Sequence, residues 1–171
     1  SLMVYYANGQ LKRSADYSFN KLNGELLTYY DSGQIKSKTT YNSDDKMGDY
    51  EIWSPNGNKE EVGTYLSNKY HGQIKRWFSN GSPASLSTYK DGMLHGIMQI
   101  YSLSNVIKRE SYYKKDNEIA RFEYHDNGRF KRVLSMDDGL ILYERKWNSN
   151  GLEETEELFI TGTRIDSDYF L

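Results

Sequence analysis

Histidines are the strongest candidates for metal chemistry in this chain, because its 171 residues include three histidines and no cysteine. His71 and His95 each precede a glycine and occupy equivalent places 24 residues apart, whereas His125 has a different sequence context. Equivalent places on adjacent hairpins lie two strand spacings apart, roughly 9.6 Å. The ligands of one zinc ion each lie about 2.1 Å from the metal, so we predict no shared metal site.

Carboxylate pairs are the next candidates, because paired acids perform general acid and base catalysis. Asp44-Asp45 and Asp137-Asp138 lie in stretches typical of turns, where a solvated aspartate is far commoner than a catalytic one. The sequence also has no phosphate-binding glycine loop, no Gly-x-Ser-x-Gly elbow and no His-Glu-x-x-His motif. We therefore expect no catalytic residue, no cofactor and no enzymatic activity.

Four lysines recur three places after the turn residues of a sequence repeat, which is described below. These lysines are Lys12, Lys36, Lys108 and Lys131. Glu60 and Ala84 occupy the same place in the intervening repeats. Because stacked repeats place equivalent residues on one face, the lysines form a candidate basic column for an acidic partner or a membrane surface. Lysine is also common at exposed strand positions, and we favour the interpretation that the column is simply solvated.

A repeat of 23 or 24 residues organises the sequence. Its recurring turn residues, called pivots below, are Gly9, Gly33, Gly57, Gly81, Asn105, Gly128 and Gly151. The aromatic residues four places before each pivot are Tyr5, Tyr29, Trp53, Trp77, Tyr101, Tyr124 and Trp147. The tyrosines eight places after the first five pivots are Tyr17, Tyr41, Tyr65, Tyr89 and Tyr113. A period of this length is typical of a solenoid, in which each unit buries its apolar surface against its neighbours.

Each repeat has the pattern of two β-strands and two turns. The Asn-Gly and Ser-Gly dipeptides at the pivots tolerate positive φ, so they predict tight hairpin turns. The residues that mark a second turn are Asn20, Asp44, Asn68, Gly92 and Asp116. The apolar residues expected at one equivalent buried place are Leu26, Tyr50, Ile74, Met98 and Phe122. Apolar and polar residues alternate as in half-buried strands, and no run shows helical spacing, so we predict an all-β fold.

Aromatic doublets provide a candidate contact surface. The expected packing ladder is Tyr29, Trp53, Trp77 and Tyr101, and the small residues expected to make room for it are Thr39, Gly63 and Ser87. Successive strand residues point to opposite faces, so the second residue of each doublet is expected to be the more exposed one. On this basis Tyr6, Tyr30 and Phe78 form the candidate interaction surface. The alternative is that they are scattered surface aromatics without a function.

Charge and hydropathy exclude some partners. The net charge of -2, from 22 basic and 24 acidic residues, gives no sign of nucleic-acid binding. No apolar run reaches the roughly 18 to 20 residues that a membrane span needs, and no signal peptide is visible. The chain begins almost inside a repeat, so we expect that it was trimmed upstream.

The repeat weakens towards the C-terminus. One residue is lost between Ala120 and Tyr124, and acidic residues follow Gly151. We interpret residues 1–151 as tandem hairpin repeats and residues 152–171 as an acidic cap and tail of the same single domain. A charged last strand discourages other chains from pairing with the sheet edge. The tail, residues 166–171, is expected either to fold over that edge or to be disordered.

The unit Tyr-x-x-Asn/Ser-Gly-x-Leu/Ile-Lys, followed by Tyr, a turn and a step such as Leu94-His95-Gly96, resembles the MORN repeat, in particular its bacterial variant. The resemblance runs from Tyr5 to about Gly151. It implies an elongated, single-layer, twisted antiparallel sheet of tandem β-hairpins, a MORN-like solenoid. Asn105 and Ala120 depart from the glycines of the pattern, and with the shortened repeats that follow they argue against regular curvature there.

The resemblance also implies that the chain holds partners and carries no catalytic residues. Chains of this kind resemble the antitoxins of bacterial toxin-antitoxin systems, so the expected partner is another protein, in that case a toxin. Two alternatives stay open: a module that associates with membrane phospholipid, and a repeat protein that binds cell-surface carbohydrate. The compartment would be the cytoplasm for an antitoxin and the cell envelope if an upstream signal was trimmed. The sequence does not predict the oligomeric state.

Overall fold

The computed structural model describes residues 1–160 and 163–165, and every regular element in them is a β-strand. The strands are β1 (Leu2–Tyr5), β2 (Leu11–Ser18), β3 (Lys21–Tyr29), β4 (Ile35–Asn42), β5 (Asp45–Trp53), β6 (Lys59–Leu66), β7 (Lys69–Trp77), β8 (Pro83–Lys90), β9 (Met93–Tyr101), β10 (Ile107–Lys114), β11 (Asn117–Tyr124), β12 (Phe130–Asp137), β13 (Leu140–Trp147), β14 (Glu153–Ile160) and β15 (Thr163–Ile165). Within these ranges, no helix is long and apolar enough to cross a membrane.

The contacts divide the chain into two units. Unit 1 comprises residues 1–83 and 89–92, and unit 2 comprises residues 84–88 and 93–171. Within each unit the strands are hydrogen-bonded in chain order and antiparallel, as in the pairs β3–β4 and β12–β13. The prediction of an all-β fold built from tandem antiparallel hairpins is confirmed.

The two turns of each repeat have different conformations. At the first turn, the Tyr6 N–H donates to the Gln10 carbonyl over 2.8 Å, and Gly9 has a φ of +82°. The predicted hairpin turn is present, but only the glycine of its Asn-Gly dipeptide has positive φ, because Asn8 is not in that region. The two-residue turns are the second ones: Ser43 and Asp44 both have positive φ, 52° and 75°, as a type I′ turn requires.

A β-bulge follows each first turn that has a described register. Tyr5 lies opposite Leu11 and Val4 opposite Arg13, which leaves Lys12 without an opposing residue. The equivalent unopposed residues are Lys36, Glu60, Lys108, Lys131 and Glu154. An extra residue of this kind bends its strand and changes the direction of its side chain. The basic column predicted from the sequence is therefore a column of bulge residues.

The second turns join consecutive repeats by paired hydrogen bonds. The Asp44 N–H donates to the Leu22 carbonyl over 2.9 Å, and the Leu22 N–H donates to Asp44 Oδ1 over 2.7 Å. The same two bonds join Asn68 to Lys46 and Asp116 to Leu94. Each turn residue thus satisfies one backbone donor and one backbone acceptor at the start of a strand in the preceding repeat.

The core of unit 1 is thin and depends on a glycine. Ile74 is fully buried and Tyr50 is 2% exposed, and both pack over Gly63. A Cβ atom on Gly63 would lie 2.3 Å from Ile74 Cδ1 and 2.9 Å from Tyr50 Cε1. Gly63 therefore makes room for Tyr50 and Ile74, and not for the aromatic ladder that the sequence suggested. The ladder residues themselves are half-buried.

The lost residue before Tyr124 changes the register of unit 2. Tyr50 in unit 1 lies opposite Thr39 and Gly63, whereas the equivalent place opposite Ser111 and Leu134 is taken by Arg121. Phe122 lies opposite Glu110 and Val133, on the other face. The prediction that Phe122 continues the buried apolar column is wrong, because a shift of one residue moves every side chain of a strand to the opposite face.

The acidic segment after Gly151 forms the strand β14, which pairs with β13 and with β15. Its charged residues thus belong to a strand that is paired on both sides, and the role of residues 152–171 as a cap stays a prediction. The predicted behaviour of residues 166–171 lies outside the described residues.

Candidate interaction surface

Tyr6 and Tyr30 lie at the first residue of successive first turns, where they bridge repeats. The Tyr6 hydroxyl donates to the Tyr29 carbonyl over 2.6 Å, and the Tyr30 hydroxyl donates to the Trp53 carbonyl over 2.7 Å. Burial, and then the charge of Glu60, raises the pKa of Tyr30, which keeps its hydroxyl protonated as a donor. Both rings are half-buried. The two tyrosines are therefore part of the joint between hairpins.

The bulges bring the predicted lysines onto these rings. Lys12 Nζ lies 5.4 Å from the centroid of the Tyr6 ring, and Lys36 Nζ lies 5.5 Å from that of Tyr30. Such cation–π contacts contribute about 0.5–1 kcal/mol at exposed sites. The structure thus brings together two sets of residues that the sequence suggested separately, in the first two repeats.

Phe78 occupies the turn position of Tyr6 and Tyr30 but has no hydroxyl to bridge repeats. Its N–H donates to the Ser82 carbonyl over 2.9 Å, which closes its own turn. The expectation that these second residues are the more exposed ones fails in the first doublet, where Tyr5 is 56% exposed and Tyr6 is half-buried. Whether Tyr6, Tyr30 and Phe78 contact a partner stays a prediction.

The remaining lysines of the column have different surroundings. Lys108 forms an ion pair with Asp126, and its hydrogen bond and charge hold the pKa of that carboxyl below its usual range. Lys131 lines an open cavity of about 700 Å³ with His125. His125 Nε2 lies 2.8 Å from the Trp147 carbonyl, so that nitrogen carries the proton. The column is therefore interrupted in charge as well as in sequence.

A cluster of tyrosines around one carboxylate lies on the buried face of unit 1. Tyr50 and Tyr70 both donate to Glu61 Oε1, and Arg76 Nε donates to Glu61 Oε2 over 2.6 Å. Burial, and then the hydrogen bond to Glu61, raises the pKa of Tyr50. The Tyr65 ring packs 4.6 Å from the Tyr50 ring and 5.0 Å from the Tyr70 ring. Tyr65 is the recurring tyrosine eight places after the pivot Gly57, and its function here is packing.

Five aromatic residues of unit 2 form a continuous, partly exposed cluster, called the aromatic strip below. They are Tyr112, Phe122, Tyr124, Phe130 and Trp147. Phe130 is central, with its ring centroid 5.2 Å from Tyr124, 5.9 Å from Trp147 and 6.2 Å from Phe122. Phe130 is 46% exposed and Tyr112 is 38% exposed. Sequence reasoning missed the strip, although the lost residue that places Phe122 on this face was visible.

The opposite face of unit 2 is occupied by ion pairs. Glu144 is 4% exposed and binds Arg132, with Lys146 Nζ 3.1 Å away. Burial alone would raise the pKa of Glu144, but the hydrogen bonds and charges of Lys146 and Arg132 outweigh it, so its pKa is lowered. Arg121 pairs with Glu118 in the same way. Carboxylates held ionised by adjacent cations are poor proton donors at neutral pH.

No group of three or more His, Cys, Asp or Glu side chains within residues 1–160 and 163–165 has a geometry for a metal ion. The model of the MORN repeat variant family matches four segments, residues 3–18, 22–43, 70–91 and 94–115. The chain belongs to the MORN-repeat family. No curated protein matches it. The match describes the repeat and says nothing of a toxin or of a bacterial source.

The matched MORN repeats correspond to hairpins around the pivots. They contain β1–β2, β3–β4, β7–β8 and β9–β10, together with Tyr6, Tyr30 and Phe78. Four of the five residues in the aromatic strip lie beyond the last matched MORN repeat. The strip therefore lies mostly outside the matched segments, although Tyr124 and Trp147 occupy the aromatic place four residues before a pivot.

Proposed function

We propose that this MORN-repeat scaffold is not an enzyme and that it binds another protein through the aromatic strip. The observation that carries the proposal is a set of touching rings across β10–β13 that is exposed at Phe130 and Tyr112. Aromatic residues are enriched at the centres of protein interfaces, where they bury large areas at a low entropic cost. Rings that already pack on one another are ordered before binding.

The acid and base groups of the described residues support a non-catalytic scaffold. Glu144, Glu118 and Glu61 each bind an arginine, and their charges are satisfied within the sheet. A general acid or base needs a pKa near the working pH, and the lowered pKa values of Glu118 and Glu144 lie further from it.

An antitoxin is one specific form of this proposal, in which the partner is a toxin. No feature of the strip favours a toxin over another protein partner.

Membrane association is the less favoured alternative. It would use the exposed Lys12, Lys36 and Lys131, whereas Lys108 is neutralised by Asp126. Each lysine near an anionic surface contributes about 1 kcal/mol, so three scattered lysines give weak binding. Nor does any described feature favour carbohydrate over a protein partner.

The test is affinity capture from lysate of the source organism with three baits: the wild-type chain, Phe130→Ser and Phe19→Ser. Phe19 is a matched control, because it is 99% exposed and lies in unit 1. A partner held by the wild type and by Phe19→Ser, and bound at least about tenfold more weakly by Phe130→Ser, supports the proposal. A partner that Phe130→Ser retains fully contradicts it.

Two further arms separate the other surfaces. Loss of the partner from a Tyr30→Ala/Phe78→Ala double variant, with normal capture by Phe130→Ser, would assign the contact to the surface suggested by the sequence. Flotation of the wild-type chain with anionic vesicles at low salt, together with absence of any captured protein, would support the membrane alternative.

A further inference from the structure

One end of the aromatic strip borders a groove of about 300 Å³, called the aromatic groove below. Its lining residues are Tyr124, Gly128, Arg129, Phe130, Trp147 and Gly151. Three of the lining residues are aromatic and two are glycines, and the Arg129 side chain lies 3.5 Å from the place that a Cβ on Gly151 would occupy. No atom lies within 4 Å of the place that a Cβ on Gly128 would occupy. The groove is thus open to a chain that lies across the rings.

The rings of the groove are held in place before any ligand binds. The Tyr124 and Phe130 rings stack with an interplanar angle of 27°. The Arg145 guanidinium lies 5.2 Å from the Trp147 ring centroid, and its nitrogens donate to both carboxylate oxygens of Glu153. A fork of this kind fixes the arginine, which in turn fixes one side of the Trp147 ring. Ordered rings reduce the entropy lost on binding.

Donors outnumber acceptors among the polar atoms of the lining side chains, because the Arg129 guanidinium and the Trp147 indole only donate and the Tyr124 hydroxyl does both. Among the described residues, neither the Tyr124 hydroxyl nor Trp147 Nε1 donates to a protein acceptor. Burial, and then the charges of Glu110 and Tyr112, raises the pKa of Tyr124, so its hydroxyl keeps its proton. Arg129 donates to the Asn150 carbonyl, which holds its guanidinium at the rim. A ligand that offers acceptors and few donors suits this arrangement.

We propose that the aromatic groove binds a proline-rich segment of the protein partner in the polyproline II conformation. Such a segment has no internal hydrogen bonds, and its proline residues present carbonyl acceptors without N–H donors. Its rings pack on aromatic side chains, and its conformation is already restricted before binding. A sugar presents donors and acceptors alike, and the lining side chains include no carboxylate or amide acceptor for its hydroxyl groups.

The charge of the groove favours an acidic residue next to the prolines. Arg129 is the only charged residue in the lining. Its guanidinium has five N–H donors, of which the Asn150 carbonyl uses one. A carboxylate in the bound segment would therefore find donors at the rim.

The proposal rests on the proposed function, since it specifies which part of a protein partner the strip contacts. The probe is a synthetic peptide of prolines with one aspartate, and its control is a glycine-serine peptide of equal length with the same aspartate. Binding is measured by NMR on the full chain, from the indole N–H signal of Trp147, which a Trp147→Phe variant assigns. An oligosaccharide provides a further control ligand.

We expect the proline peptide to shift the Trp147 signal to saturation and the glycine-serine peptide to leave it unchanged. Phe130→Ser should weaken binding of the proline peptide at least about tenfold, whereas the Phe19→Ser variant should bind it as tightly as the wild type does. The variant Arg129→Gln keeps the rings, so it should weaken binding of the proline peptide but not binding of an otherwise identical proline peptide that lacks the aspartate.

No shift with the proline peptide, an equal shift with the glycine-serine peptide, or a shift with the oligosaccharide alone would overturn the proposal. These failures are distinguishable from failure of the proposed function. A partner that requires Phe130 but is not displaced by excess proline peptide overturns the groove proposal alone. A captured partner that ignores Phe130 overturns the proposed function itself.

Discussion

Replacing Gly63 with alanine is the sharpest test of how unit 1 packs. A glycine to alanine change at a backbone conformation that alanine can adopt usually stabilises a protein by about 0.4–1 kcal/mol, because it restricts the unfolded chain. Gly63 is not in the positive-φ region, so backbone preference alone predicts stabilisation. The added Cβ would lie 2.3 Å from Ile74 Cδ1 and 2.9 Å from Tyr50 Cε1, which packing does not tolerate.

The packing cost should exceed the gain from chain entropy. Ile74 is 0% exposed and Tyr50 is held by its hydrogen bond to Glu61, so neither side chain moves freely. Overpacking of a closed core costs about 1–3 kcal/mol. After the entropic gain, Gly63→Ala should lower the free energy of unfolding by about 1–2 kcal/mol. For a chain of this size, that corresponds to a fall in Tm of roughly 2–8 °C.

The assay is urea unfolding followed by tryptophan fluorescence. A Trp147→Phe background leaves Trp53 and Trp77, so the signal reports on unit 1. The second variant is Gly63→Ala/Ile74→Val, which removes the Cδ1 atom that the new methyl group meets. Ile74→Val alone should cost about 0.5–1.5 kcal/mol, but it should cost less, or stabilise, in the Gly63→Ala background. A stabilised Gly63→Ala variant, or strictly additive costs, would refute this account of the core.

Two further predictions concern hydrogen bonds and pH. Asp44→Ala should lower the free energy of unfolding by about 1 kcal/mol or more, because it leaves the Leu22 N–H without its acceptor and strains a turn at positive φ. Asp44→Asn keeps an acceptor and should be nearly neutral in the same urea assay. Because the pKa of Glu144 is lowered in the fold, its ionised form contributes stability above its unfolded value of about 4.3, and this contribution is lost as pH falls through the folded pKa. The Tm should therefore be flat down to about pH 5 and fall below it, and Glu144→Gln should lower the Tm at neutral pH and flatten the acid limb.

The repeat period predicted the strands and turns because neighbouring strands pair in register. Equivalent strands and turns therefore recur at a constant interval along the chain. Pivots at Gly9 and Gly33 both precede a second strand where the sequence placed one. The pivot Asn105 departs from glycine, but it has a φ of 61°, which asparagine adopts more readily than most residues. The spacing of the pivots was thus sufficient to predict that the strands exist and in which order they follow.

The faces of the sheet were harder to predict, because alternation holds only while pairing is uninterrupted. Each bulge shifts the count by one, so Lys12 follows Leu11 without an opposing residue. The missing residue before Tyr124 then sends Arg121 to the face that Tyr50 occupies in unit 1. These one-residue changes are visible in the sequence. Only the pairing register of the strands shows which strand contains the bulge or the shift.

The side-chain hydrogen bonds that join one first turn to the next repeat are chemically one-sided. Tyr30 and Asn8 supply side-chain donors, while the acceptors are the main-chain carbonyls of Trp53 and Asp31 in the following repeat. Every residue carries such a carbonyl, whatever its side chain. A repeat with its own donors can therefore be duplicated, deleted or exchanged without a matching substitution in its neighbour. This property would let such an array change its length during evolution while its first-turn bonds remain satisfied.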